Sequence, residues 1–560
     1  MTESVRVEGT RVELRPEDFV AAGGQGRVFA RGDTAFKIFD DATAVPPRDK
    51  FLALQSLAGP HVAAPLAHIT SLSNERVGYT MPFFRGARSW GQLCTPAQRQ
   101  RTGLDDRAAL GLVQSLAAAL AAVHRHGARV VDLSENNVLV RGSSVCLIDL
   151  DSWQTPDHPA TALTPSIRSP HAPAGQFDAS TDWFAFAVLT CMLLLGIHPF
   201  KGKHPSARGL AARMKARISV FDPAVRLPAV CNSPSSLPPS LAGWLRRVLE
   251  QGEGTPPPLG HLPSPTPAVA KPVGGRLYPD PIVAVLVDGN RAFVTTRTAA
   301  FEDEQCWHDD GRPLWGLGRT TDGEPFVVQA SPGQGLEVRV RSSEVRTPLG
   351  FDADDLVCSD GHVFIRNRGR LLALDVHRLG RRTVLLTREV ARVLPHATAL
   401  FPGVALQNVL GTWRASLLAH ARGTPQLSLP NLGGGEVLDA RRAGDRLVVL
   451  TQHHGGISRH TFALSPAGSV RDYARHDDVD PWGTCFVRVG QLYVEVGEKG
   501  IRRCFEASAE PWQPLQTPQG AVALHTDGRR VLASAGRVLT ELHDLMPRPS
   551  TRLGFDATAS

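Results

Sequence analysis

The chain has 560 residues, too many for one hydrophobic core and enough for two or three. Apolar residues make up 42% and charged residues 21%, a soluble globular profile rather than that of a disordered chain. The net charge of +7 comes from scattered Arg rather than from a basic block, so a solvated basic surface is expected and a nucleic-acid footprint is not.

In chain order, Met1 to Glu13 has no apolar core, so no signal peptide is expected. Gly23, Gly24 and Gly26 then lie between two β-prone runs. Glycines there let backbone N–H groups approach phosphate oxygens with no Cβ in the way. Nine residues after Val28 comes Lys37, in Ala35-Phe36-Lys37-Ile38. An Arg31-Gly32-Asp33 turn predicts a hairpin that sets Lys37 beneath the glycine loop. Thr80 to Phe84, with Thr80 and Met81 foremost, is the candidate hinge for an adenine ring. Ala108 to His124 predicts a helix of about four turns. Trp183 to Ile197 is the longest apolar stretch at 15 residues, short for a bilayer span and suited to a buried helix.

Between those helices lies a polar loop flanked by apolar strands. It carries Asp132 and Asn137, five residues apart, and Asp149 follows twelve residues later. Phosphoryl transfer needs oxygen ligands that hold Mg²⁺ against phosphates, and a carboxylate that accepts the proton of the attacking hydroxyl. Asn137 and Asp149 suit the first task and Asp132 the second. Each residue alone reads equally well as a strand or turn cap.

Gly252 to Gly275 is dense in Pro and Gly and predicts a linker, so the expected organisation is 1–252, linker 253–275 and 276–548. Beyond it the grammar is short β segments. The turns that close them are Asp288-Gly-Asn, Asp360-Gly-His, Gly444-Asp-Arg, Gly490-Gln and Asp527-Gly-Arg. The recurrence of about 35–45 residues is that of a propeller blade. Seven blades are expected, six or eight fit the same period, and a pair of β-sandwiches is the competing reading. The eight Cys form no C-x-x-C pair, and a reducing cytoplasm is the expected compartment.

Taken in order, the motifs of residues 16–252 resemble the protein-kinase signatures. Gly23-x-x-Gly26-x-Val28 resembles the end of the glycine-rich loop, and Ala35-Phe36-Lys37 the strand of the nucleotide lysine. Asp132-Leu-Ser-Glu-Asn-Asn137 resembles the catalytic loop, and Asp149-Leu150-Asp151 the metal triplet. Asp182-Trp183-Phe184-Ala185 resembles the start of the helix that anchors that loop. The finer resemblance is to bacterial serine/threonine kinases whose metal triplet reads like LIDxDSFQ, compared here with Leu147 to Gln154. It implies an α+β bilobal kinase fold, followed here by the all-β propeller-like domain. It also implies ATP and Mg²⁺ as cofactors, transfer to protein serine or threonine hydroxyls, and association with von Willebrand factor A proteins and a metal-dependent protein phosphatase in stress response. In that picture Lys37 holds the α/β-phosphates, Asn137 and Asp149 hold the metal, and Asp132 orients the hydroxyl. The propeller recruits a substrate or senses a ligand.

The chain departs from the pattern. Ala21 stands at the first loop glycine, Val130-Val131 precede the catalytic-loop Asp in place of His-Arg, and Ser134 replaces a Lys. Asp151 replaces the triplet Gly, as an added carboxylate near the metal or as a stiffener of the turn. The helix expected to give Lys37 a Glu partner offers Lys50 and Asp49 instead. A nucleotide-binding scaffold without transfer, and an adaptor in which the propeller does the work, are the alternatives.

Overall fold

The computed structural model describes residues 3–173, 175–228, 230–259, 275–331, 335–343, 345–380, 382–418, 425–453, 456–479, 482–497, 500–504 and 522–542. Most of the Pro-rich linker therefore lies outside the described residues.

The N-terminal strands are β1 (Glu3–Val7), β2 (Thr10–Leu14), β3 (Phe19–Ala22), β4 (Gly26–Arg31), β5 (Thr34–Phe39), β6 (His68–Thr70) and β7 (Arg76–Pro82). They form one antiparallel sheet in the order β2-β1-β6-β7-β5-β4-β3, curled into a half-barrel. The predicted hairpin is present: β4 pairs with β5 so that Val28 faces Lys37 across the ladder. Helix α1 (Arg48–Gln55) follows β5. After β7 come the short strand β8 (Arg88–Ser89), then α2 (Trp90–Leu93), α3 (Pro96–Thr102) and α4 (Asp106–Arg125). The hairpin β9 (Val138–Arg141) and β10 (Ser144–Leu147) carries the chain into Asp149. Next come α5 (Ala179–Leu195), α6 (Leu210–Ala216) and α7 (Pro239–Arg246). Local chemistry sets the long helices. Asp105 caps α4 by accepting the Ala108 N–H at 2.6 Å, Asp178 caps α5, and Gly196 ends α5 in the left-handed region at φ 76°.

From Gly275 onward the described residues form seven small antiparallel sheets. Six follow one another, opening at Ala284–Asp288, Leu314–Arg319, Asp355–Ser359, Thr398–Phe401, Glu436–Ala443 and Phe486–Val489. The seventh joins Val522–Thr526, Val531–Ala535 and Val538–Glu541 to Gly275–Leu277, so the first strand of the region closes on its last.

The expected kinase-type bilobal fold with an appended propeller-like domain is overturned. Strand makes up 43% and helix 19%, in many small antiparallel sheets and one half-barrel, not a helical kinase large lobe. The physical reason is proline. Pro156, Pro159, Pro165, Pro170 and Pro173 lie between α4 and α5. Pro199, Pro205, Pro223, Pro228 and Pro234 lie between α5 and α7. Each removes an N–H and clashes with the preceding turn, so most of this region is 3-10 turn or irregular chain rather than helix. The turn residues after the linker specify hairpins, and hairpins alone do not fix how successive sheets are arranged.

The helical region and the later sheets share a core. One apolar cluster runs from Leu54 through Trp90, α4, α5 and Trp244 to Trp482, Val494, Leu524 and Ala533. Polar contacts cross the same junction. Gln92 Nε2 donates to the Val437 carbonyl at 3.2 Å, Gln100 Nε2 to Ser534 Oγ at 2.8 Å, and Arg101 pairs with the fully buried Asp439 at 2.9 Å.

Candidate functional site

Lys37 sits mid-strand on β5, and Asp149 follows directly on β10. The fold brings them together from 112 residues apart, with Lys37 Nζ 2.5 Å from Asp149 Oδ1. The same ammonium lies 2.6 Å from Asp151 Oδ1. Asp151 is buried, and its Oδ1 also accepts the Tyr79 hydroxyl at 2.6 Å. Lys50, buried on α1, donates to the Asp151 carbonyl at 2.8 Å. Lys37 thus takes both its carboxylates from the segment after β10, and α1 contributes a lysine that fixes the Asp151 backbone. The signal for Asp151 in the sequence is a second acid two residues after Asp149.

Charge explains the pKa directions. Burial works against protonated Lys37, yet the Asp149 and Asp151 carboxylates outweigh it and hold its pKa above the ordinary lysine value. Burial pushes Asp149 up against the pull of Lys37, and the neighbouring Asp151 adds to the rise. Burial, then Asp151 and Asp149, drive the Tyr79 phenol far upward, so it stays a hydrogen-bond donor. Burial lowers the Lys50 pKa.

Asp132 and Asn137 are brought together as well. Asn137 Nδ2 donates to the Asp132 carbonyl at 3.0 Å and to Asp132 Oδ2 at 3.3 Å. Asp132 Oδ1 accepts the Thr164 N–H at 2.6 Å, which lays the segment after Asp149 over the loop. The Ile148 N–H donates to the Asn137 carbonyl at 3.0 Å, tying this loop to the Asp149 turn. Beneath the loop, Asp182 at the start of α5 accepts the N–H groups of Val130 at 3.0 Å and Val131 at 2.8 Å, and contacts His124 Nε2 at 2.8 Å. Val131 holds φ 64° and Asp149 φ 65°. A β-branched residue in the left-handed region is strained, and the buried Asp182 carboxylate holds it there, immediately before Asp132.

The glycine loop divides in two. Gly26 is required by packing, because a Cβ there would lie 2.1 Å from the Ile38 carbonyl oxygen on β5. Gly23 and Gly24 face open space at the β3–β4 turn, so packing does not require a glycine at either position. Val28 sits beside Lys37 in the ladder. Thr80 is buried, with its Oγ1 accepting the Ala67 N–H at 3.1 Å, and Met81 packs on the Phe39, Phe51 and Tyr79 cluster.

Among the described residues no three His, Cys, Asp or Glu side chains group as a metal site. Mg²⁺ with a nucleotide needs fewer protein ligands, one or two oxygens beside the phosphates and water. Asp149 Oδ2 and Asn137 Oδ1 accept no hydrogen bond among the described residues, and these hard oxygens fit that task. Asp132, Asp149 and Asp151 outnumber Lys37 and Lys50, which leaves an excess of negative charge that favours a cation. No protein-family model matches the chain, and no curated protein matches it.

Proposed function

We propose that this cleft binds ATP with Mg²⁺ and transfers the γ-phosphoryl group to a serine or threonine hydroxyl of a protein substrate. The observation that carries the reading is the meeting of Lys37 with Asp149, beside a loop that holds Asp132 and Asn137. When bound, Mg²⁺ would be held by Asn137 and Asp149 and would supply neutralising charge to the phosphate oxygens. Lys37 is fixed by Asp151 and Tyr79, so its ammonium is positioned for phosphate before the nucleotide arrives. Asp132, fixed by Asn137 and by the Thr164 N–H, is the residue to accept the hydroxyl proton. The turn at Gly23 and Gly24 would offer the backbone N–H of Gly24 to the phosphates, the Gly23 N–H being donated to the Gly26 carbonyl at 2.9 Å.

A second reading, nucleotide binding without transfer, has its own observation. Asp132 Oδ1 is occupied by Thr164, and Ser134 leaves no lysine beside it. The test is incubation of the full chain with labelled ATP and Mg²⁺, wild type beside Asp132→Ala, followed by phosphosite mapping. Transfer by the wild type, lost in the variant, is the expected result. A thermal shift with ATP and Mg²⁺ but no transfer by either protein would favour the second reading.

A further inference from the structure

The first strands of all seven small sheets line one cavity of about 630 Å³, and α3 with Arg88 closes one side of it. That volume suits a small organic ligand. Six arginines face it, and they fall into two sets. Arg101 pairs with Asp439 at 2.9 Å, Arg319 with Asp288 at 3.0 Å, and Arg88 lies 4.0 Å from Asp355. Arg441, Arg442 and Arg488 form no ion pair among the described residues. Arg441 donates only to the Leu524 carbonyl at 3.2 Å, and Arg488 only to the Gly490 carbonyl at 3.0 Å. Arg442 Nε is buried with no partner at all.

Of the two other carboxylates of the wall, Asp360 acts electrostatically on Arg442 without forming an ion pair, and Asp527 is engaged elsewhere. Asp527 spends both oxygens on the backbone N–H groups of Gly289, Arg529 and Arg530. Asp360 sits on a hairpin turn and accepts the Ser359 hydroxyl at 3.3 Å. A guanidinium taken from water without a counter-charge costs several kcal/mol. Arg441 and Arg442, half-buried on one strand, together with the exposed Arg488 on the first strand of the next sheet, therefore favour an anion that arrives from outside. The remaining wall is apolar, with Leu286, Leu317, Leu356 and Val487, and with Trp315 46% exposed. An inorganic ion can meet the arginines alone, whereas an organic anion also gains contact with this wall.

We infer that this cavity is a binding site for a small organic anion bearing two or more carboxylate or phosphate groups, held by Arg441, Arg442 and Arg488. Arg101 and Arg88 come from the N-terminal region, so the bound anion touches both regions of the molecule. The site is separate from the Lys37 cleft and does not depend on its function.

The test is calorimetry on the full chain without Mg²⁺, using citrate and pyrophosphate as separate probes. Binding of citrate identifies carboxylate chemistry, and binding of pyrophosphate phosphate chemistry; either supports the site. Arg441→Gln with Arg442→Gln is expected to weaken binding at least about tenfold, since charge-assisted hydrogen bonds to the anion are lost. Lys37→Met is expected to leave it unchanged. Should the double variant not fold, Arg488→Gln at the exposed rim is expected to weaken binding severalfold with an unaltered circular dichroism spectrum. The proposal is overturned if neither probe binds at millimolar concentration. It is equally overturned if binding survives the arginine substitutions or is lost in Lys37→Met.

Discussion

The Lys37 cleft and the arginine-lined cavity are opposite solutions to buried charge. In the cleft one ammonium is shared by two carboxylates, with a third nearby, so acid is in excess. In the cavity three of six guanidiniums form no ion pair among the described residues, so base is in excess. Their backbones differ too. The cleft is built on irregular chain, with Val131 and Asp149 in the left-handed region away from any hairpin. The cavity is built on regular strands whose left-handed residues lie at turns, such as Asp360 and Gly361. Irregular chain can converge oxygens from distant segments on one point, whereas regular strands repeat one kind of group around a wall. The first suits chemistry at a metal and a phosphate, the second recognition of a whole anion.

The largest expected effect is at the junction that joins the two regions. Asp439→Ala leaves Arg101 without its buried counter-charge and is expected to cost about 3–5 kcal/mol in urea unfolding. Arg101→Met combined with Asp439→Leu should recover most of that loss. If the single substitution is silent, the regions are not joined through this pair. Next in size, Asp149→Asn is expected to lower phosphoryl transfer at least about a hundredfold, because an amide brings no negative charge to a divalent ion. Equal rates would remove Asp149 from the cleft's chemistry.

Asp151→Asn tests whether the shared lysine matters. It keeps the shape but removes the charge, and is expected to lower kcat/KM by about tenfold with Tm little changed. An effect on Tm alone would make Asp151 a structural residue only.

A pH dependence sharpens the contrast from the sheet side. Burial pushes Glu436 from the ordinary 4.5 up to about 7, against a hydrogen bond from Ser89 and with added repulsion from Glu135. The folded chain then holds a proton that the unfolded chain has lost. Its contribution is full below pH 4.5 and falls as the pH rises towards 7, levelling off above. Melting curves across that window should show the decline, and Glu436→Gln should flatten it. The smallest effect is expected at the glycine loop. Gly24→Ala faces open space, so stability should rise by about 0.4–1 kcal/mol while ATP affinity falls. Unchanged affinity would show that the loop does not cover phosphate.

Legibility followed the range of the interaction. Asp360-Gly361 announces its hairpin because both residues take positive φ, at 51° and 81°, which Asp and Gly tolerate. Leu410-Gly411 forms the same kind of turn with φ 50° and 89°, and nothing in a leucine signals it. Lys37, Asp132, Asn137 and Asp149 were singled out by residue type and spacing. The kinase-type helical lobe that the motif resemblance implies is not formed, because motif order carries no information about the prolines that interrupt the chain between α4 and α7.

By itself the sequence determined the local pieces: the capped helices α4 and α5, the Val28–Lys37 hairpin, and the series of turn-bounded strands after the Pro-rich segment. These depend on interactions within a few residues, where caps, turn residues and side-chain period act directly. Only the tertiary structure decided that Asp151 serves Lys37 across 114 residues, that Asp182 holds Val131 in a strained conformation, and that Arg441, Arg442 and Arg488 line one cavity. Partners so distant in sequence are chosen by packing and desolvation, which no local pattern records.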